Sequence, residues 1–234
     1  MIRDLILIEE MCMKDISIFD VIGPNMIGPS SSHTAGALRI ALMARKIVAD
    51  EVKKVTFRLY GSFAKTYEGH GTNRALVGGI LGYHPDDVRI KDSFEYAKER
   101  HMEFHFDLVH GENPYHPNTV ECFIESVHNE KTFIRGESIG GGEMVIKNIN
   151  GVEIDLSGEY DTILVKQKDE PGVVAYLSNC LARFNVNIAF MKLYREDKGS
   201  IAYTIIEMDD PICEKALGEI EADKAIMSAV YIPR

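Results

Sequence analysis

The chain has 234 residues, 45% of them hydrophobic and 26% charged, with a formal net charge of −10 at neutral pH. That length fits one large domain or two modest ones. The acidic balance argues against nucleic acid or an anionic membrane as a general partner. The four cysteines, Cys12, Cys122, Cys180 and Cys213, are scattered without CxxC-like pairing, as free thiols in a reducing compartment are.

Near the start, Leu5-Ile6-Leu7-Ile8 is too short to cross a bilayer, and acids flank it without a small-residue cleavage site. A cytoplasmic protein is expected. The segment from Ile27 to Gly36 then breaks the apolar run with Gly28-Pro29, three serines and His33-Thr34. It leads directly into a helix-like stretch at residues 37–49. Such a junction aims free backbone N–H groups, hydroxyls and an imidazole at the positive end of a helix, which suits a small carboxylate. Capping alone needs one serine. Gly28 and Gly36 would let a ligand or another backbone approach closely.

Residues 54–60 read as a strand, followed by Tyr60-Gly61-Ser62 and then Glu68-Gly69-His70-Gly71-Thr72-Asn73. This second loop places a histidine between glycines just before a helix at residues 72–81, with Thr72 or Asn73 as its cap. Taken alone, it is an ordinary loop histidine. Residues 93–99 read as a helix, and residues 103–109 alternate as a half-buried strand. His101 and His105 are read as solvated on that strand's polar face, with no third metal ligand nearby. In Asn113-Pro114-Tyr115-His116-Pro117-Asn118-Thr119 two prolines restrict the backbone around His116. A strand at 119–126 follows. Ser138-Ile139-Gly140-Gly141-Gly142 looks like a close-approach loop and matches neither a P-loop nor GxGxxG. Asn150-Gly151 joins strands at 144–149 and 152–156 as a tight hairpin.

The boundary of this α+β block is placed at Ser157-Gly158-Glu159. Beyond it, a strand at 161–166 ends at Asp169-Glu170-Pro171-Gly172. A helix follows with Val173, Leu177, Cys180, Leu181 and Phe184 on one face. Strands at 186–193 and 201–208 flank the charged turn Glu196-Asp197-Lys198-Gly199, then a helix begins near Pro211 and a strand spans 226–232. The order is β-α-β-β-α-β, the split βαβ arrangement.

Together these pieces resemble the β subunit of bacterial iron–sulfur-dependent L-serine dehydratase (L-serine ammonia-lyase). The matching segments are Phe19-Asp20-Val21-Ile22-Gly23-Pro24, the whole of Gly28 to Gly36, Tyr60-Gly61-Ser62-Phe63-Ala64, Gly69-His70-Gly71-Thr72, His116-Pro117-Asn118-Thr119 and Ser138 to Gly142. They stand in the family's order, and residues 1–15 fall outside the resemblance. The resemblance implies a serine-dehydratase β-chain domain at 1–157 and a ferredoxin-like βαββαβ ACT domain at 158–234. It implies that L-serine becomes aminoacrylate, then pyruvate and ammonia, on a [4Fe–4S] cluster and without pyridoxal phosphate. The cluster's cysteines belong to a separate α subunit, so this chain carries no metal ligand of its own.

Carried onto this sequence, Ser31, Ser32, Thr34, Gly36, Thr72, Asn73 and Asn118 would contact the substrate. His33, His70 and His116 would transfer protons or orient it. Where the family has Asp, this chain has Asn73. Glu170, Gly172 and Asn185 would bind an effector on the ACT domain, with L-serine a candidate, and that domain could also mediate self-association. Two alternatives stand beside this. The first block also resembles the allosteric substrate-binding domain of some 3-phosphoglycerate dehydrogenases, which would make the protein a non-catalytic regulator, although carboxylate binding alone does not need three histidines. The ACT block could equally be a scaffold that has lost its ligand.

Overall fold

The computed structural model describes residues 26–195 and 197–234. The apolar run at 5–8, Cys12, Glu196 and the matching segment at 19–24 lie outside them. The first described element is a π-type turn, Ser31–Gly36, continuous with helix α1 (Ala37–Val48). Buried Leu38, Ala41 and Ile40, Ala44, Ile47 recur along α1 at helical spacing. The helix stops where Ala49 turns left-handed (φ 53°).

Strand β1 (Val52–Leu59) follows, then α2 (Gly61–Thr66), α3 (Thr72–Ile80), a 3-10 turn (Val88–Asp92), α4 (Ser93–Glu99) and β2 (Glu103–Leu108). The crossover brings β2 parallel to β1. Strands β3 (Thr119–Ser126), β4 (Lys131–Gly140), β5 (Glu143–Ile149) and β6 (Val152–Leu156) then add on antiparallel. The six-stranded order is β2-β1-β3-β4-β5-β6. Helix α1 lies on β3, β4 and β5, and α3 packs across α1. The β5–β6 loop is Asn150 (φ 52°) and Gly151 (φ 93°), the two positive φ values of a type I′ turn.

A second sheet comprises β7 (Asp161–Lys168), β8 (Ile188–Arg195), β9 (Ile201–Met208) and β10 (Ile226–Ile232), in the order β10-β7-β9-β8 and wholly antiparallel. Helices α5 (Val173–Arg183) and α6 (Glu214–Glu221) complete the anticipated element order. Ile163, Val165 and Ile206 of this sheet pack with Val173, Leu177 and Leu181 of α5 and Ile220 of α6. Leu164, Tyr203, Ile205 and Ile232 instead join the core of the first sheet. Burying each of those side chains contributes roughly 1.5–3 kcal/mol. Hydrogen bonds from Asn150 Nδ2 to the Tyr203 hydroxyl (3.3 Å) and from Lys46 Nζ to the Pro233 carbonyl (2.9 Å) border this contact.

Several expectations need correction. Strand β4 and helix α2 were not anticipated from the sequence. The inward positions of β4 are Ile134, Gly136 and Ser138, so apolar alternation is lost. Gly136 is required there because an added Cβ would press on the side chain of Ile40. Neither Thr72 nor Asn73 caps α3: Gly71, with φ 68°, holds the cap position. Thr72 is inside the helix, and Asn73 Oδ1 accepts from its neighbour Arg74 N–H at 2.8 Å. His101 lies before β2 in a left-handed turn (φ 55°), so it shares no strand face with His105.

Candidate functional site

The Ser31–Gly36 turn is built by Ser30. Its side chain accepts the His33 N–H at 3.1 Å, and its carbonyl accepts from Thr34 (2.9 Å) and Ala35 (3.4 Å). The bond spanning five residues widens the turn beyond α-helical geometry, a distortion frequent at functional sites. Those bonds occupy the N–H groups of residues 33–35. The N–H groups of Ser31 and Ser32 lie at the helix start, where partial positive charge collects.

His33 is half-buried and held at both ring nitrogens. Nδ1 lies 3.3 Å from Ser30 Oγ, and Nε2 lies 2.8 Å from Ser62 Oγ. Its ring meets that of His70 edge-on, with centroids 4.8 Å apart, and that of Phe63 at 5.5 Å. Burial, and then the neighbouring His70, hold the His33 pKa below its ordinary value. The imidazole is therefore neutral at physiological pH. Thr34 is buried, and its hydroxyl donates to the His70 carbonyl at 2.8 Å. That bond pins the 67–71 loop against the turn.

Behind the turn stands Ser138, fully buried, whose hydroxyl donates to the Ser32 carbonyl at 2.9 Å and whose N–H donates to the Asn118 carbonyl at 3.0 Å. Gly36 faces Ser138, and a Cβ on Gly36 would lie 2.8 Å from the Ser138 Cβ. Gly28 in the same way receives the Thr34 side chain. Both glycines thus admit other parts of the protein. The triple glycine forms the β4–β5 hairpin tip, with φ 107°, 61° and 91° at Gly140, Gly141 and Gly142. Arg39 Nη1 donates to the Gly142 carbonyl at 3.0 Å.

The loop carrying His116 docks on the start of α2. The Pro117 carbonyl accepts the Ser62 N–H at 2.7 Å. The His116 ring itself is exposed, and its Nδ1 accepts from Asn118 N–H at 3.2 Å. It stands outside the His33–His70 pair. Beneath this loop, Tyr60 donates to the buried Glu121 at 2.8 Å, and burial followed by that carboxylate pushes the Tyr60 pKa up to about 12. Three buried atoms beside the turn have no hydrogen-bond partner among the described residues: His70 Nδ1, Thr72 Oγ1 and Asn118 Oδ1. Unpaired buried polar atoms are costly, and a polar ligand would satisfy them.

The structure thus gathers Ser31, Ser32, His33, Thr34, His70, Thr72 and Asn118 around one helix start. Ser30, Ser62 and Ser138 join them without having been singled out. Ser62 and Ser138 lay in segments the sequence had flagged, yet nothing in one dimension tells which histidine a serine will meet. In the second sheet, Gly172 (φ 99°) precedes α5 and Asn185 (φ 57°) follows it, both exposed, as is Glu170.

Sequence comparison adds the deciding observation. A family model described as serine dehydratase beta chain matches residues 17–109. An L-serine dehydratase beta chain of Peptoniphilus asaccharolyticus is 44% identical over 220 residues, covering 94% of this chain and 99% of that one. The chain belongs to the L-serine dehydratase β-chain family. A probable L-serine dehydratase beta chain of Bacillus subtilis is 43% identical over 208 residues, covering 89% of this β chain and 94% of its relative. The L-serine dehydratase of Streptomyces coelicolor is 32% identical over 161 residues, 59% of this β chain but only 35% of that longer protein.

An iron–sulfur cluster needs several thiolates brought together. In this β chain Cys122 is buried in β3, where burial pushes its thiol pKa up, Cys180 is buried in α5, and Cys213 is exposed. Cys122 and Cys180 belong to separate cores. Among the described residues, no group of three or more His, Cys, Asp or Glu is placed to hold a metal. The cysteines described do not fit the cluster.

The depressed His33 pKa has a consequence for stability. The unfolded chain binds a proton on this imidazole more readily than the folded one, so stability falls as pH drops through the ordinary histidine range near 6.5. Urea midpoints between pH 7.5 and 5.5 should therefore decline more for the wild type than for His33→Asn. Parallel declines would remove His33 as the source. The exposed His128–Asp50 pair acts with the opposite sign in both proteins, because Asp50 raises the His128 pKa, and it cancels in the comparison.

Proposed function

We propose that this chain is the β subunit of an L-serine dehydratase, converting L-serine to aminoacrylate and on to pyruvate and ammonia. The observation that carries this reading is the helix start at Ser31, with its neutral His33 packed on the His70 ring and a Thr72 hydroxyl that has no partner among the described residues. In this reading the N–H groups and hydroxyls of Ser31 and Ser32 bind the substrate carboxylate. Thr34 acts by fixing the His70 loop, Gly36 by admitting Ser138, and Thr72 and Asn118 offer polar atoms to the ligand. Asn73, turned to its own backbone, has the least direct claim.

Dehydration breaks the Cα–H and Cβ–O bonds of serine. A neutral imidazole is suited to receive the Cα proton. His33 has both nitrogens engaged, whereas His70 Nδ1 is unpartnered among the described residues. A [4Fe–4S] cluster, in this proposal, would be held by a separate α subunit and would supply Lewis acidity toward the departing hydroxyl. The greater length of the Streptomyces relative supports such a division, because the matched part of this chain covers only 35% of it.

The second sheet's order, with its helices on one face, supports a ferredoxin-like ACT domain at 158–234 with an effector site at Glu170, Gly172 and Asn185. Its edge strand β8 exposes Phe190 and Leu193 on its two faces, and an unpaired strand edge is suited to self-association. A cytoplasmic location fits, and no described helix is long and apolar enough to cross a membrane. The decisive experiment is anaerobic reconstitution with a cysteine-bearing α chain. Pyruvate should form from L-serine only when both chains are present. Full activity from the β chain alone would sink the two-subunit account.

A further inference from the structure

We propose that Ser62 is a positioning residue for this site: its hydroxyl oxygen accepts the Nε2 proton of His33 and so fixes the tautomer and orientation of that imidazole. Ser30 favours that direction. Its oxygen already accepts the His33 backbone N–H at 3.1 Å, and in this assignment its hydroxyl hydrogen donates to Nδ1 at 3.3 Å. The ring proton then resides on Nε2 and is donated to Ser62 Oγ at 2.8 Å. Which nitrogen of a neutral histidine carries the proton is set by the bond made at the other.

Ser62 is itself held from three sides. Its N–H donates to the Pro117 carbonyl at 2.7 Å, and its carbonyl accepts from Thr66 Oγ1 at 3.0 Å. Gly61 bends the chain into place with φ 52°, and a Cβ there would lie 2.6 Å from the Pro117 oxygen. Strand β1, the His116 loop and α2 thus converge to place one hydroxyl against His33. With its oxygen accepting from Nε2, the Ser62 O–H directs its own hydrogen away from the ring.

The test has two arms, and only the kinetic one rests on the serine-dehydratase reading. In the intact β chain, the 15N resonances of His33 should report a single Nε2–H tautomer. Ser62→Ala should give a mixture of tautomers, and Ser62→Thr should restore the single form. In the reconstituted complex, Ser62→Ala should lower kcat about tenfold, the worth of one such hydrogen bond, with KM little changed and Ser62→Thr recovering the rate. A wild-type complex inert toward L-serine would overturn the functional reading while the resonances still decide the role of Ser62. An active complex in which Ser62→Ala keeps both the tautomer and the rate would overturn the role of Ser62.

Discussion

Replacing His33 or His70 by alanine in the reconstituted complex is expected to lower kcat by roughly a hundredfold or more, whereas His116→Ala should cost less than about tenfold. The three histidines are alike in sequence context, each in a glycine- or proline-bounded loop. Their surroundings differ. His33 and His70 meet ring to ring at 4.8 Å beside the helix start, and Thr34 ties the His70 backbone to the same turn. Under the proposed mechanism, losing either ring removes a proton-transfer group or the wall that holds it. The His116 ring is exposed, and its Nδ1 accepts from the backbone N–H of Asn118 within its own loop. Steady-state kcat and KM for the three variants, with thermal melts to confirm folding, would separate them. A His116 variant as impaired as the His70 variant would overturn this ordering.

The second large effect is structural. Gly79→Ala should destabilise the chain by about 2–3 kcal/mol, although alanine is favoured over glycine inside a helix by about 1 kcal/mol. Sterics win because α1 and α3 cross at this point. An added Cβ would meet the Leu38 carbonyl and lie 2.7 Å from Ala41 Cβ and 2.8 Å from the Leu42 nitrogen. Backbone cannot yield as a flexible side chain does, so the helices must separate, and α1 carries the serine–histidine turn at its start. Gly78→Ala is the control. Its Cβ would make ordinary contacts of 3.4 Å to Ile90 and 3.6 Å to Tyr83, so helix propensity should prevail. Urea denaturation of the two variants decides the matter: equal midpoints would show that the crossing tolerates the methyl group.

Much of this was readable along the chain because local chemistry announced it. Asn150-Gly151 became the type I′ turn, the strand at 119–126 and the helix at 93–99 lie where their patterns placed them, and Ser30 caps the turn that three serines advertised. What stayed hidden depends on partners distant in sequence. Strand β4 has glycine and serine facing inward because Ile40 and the Ser32 carbonyl occupy the space that larger residues would fill. Helix α2 spans only six residues, too few to show a period. The pairing of Ser62 with His33 bridges 29 positions, and His70 and His116 look equivalent until folding half-buries one against His33 and leaves the other exposed.

The sharing of Leu164, Tyr203, Ile205 and Ile232 with the first core bears on how the C-terminal sheet can be studied. A fragment cut at residue 157 would present those four side chains to water as a bare apolar face prone to aggregation. The same joint links the two sheets energetically, so both should melt in one cooperative transition. A small molecule bound near Gly172 would then raise the melting temperature of the whole chain, and effector titrations belong on the uncut protein.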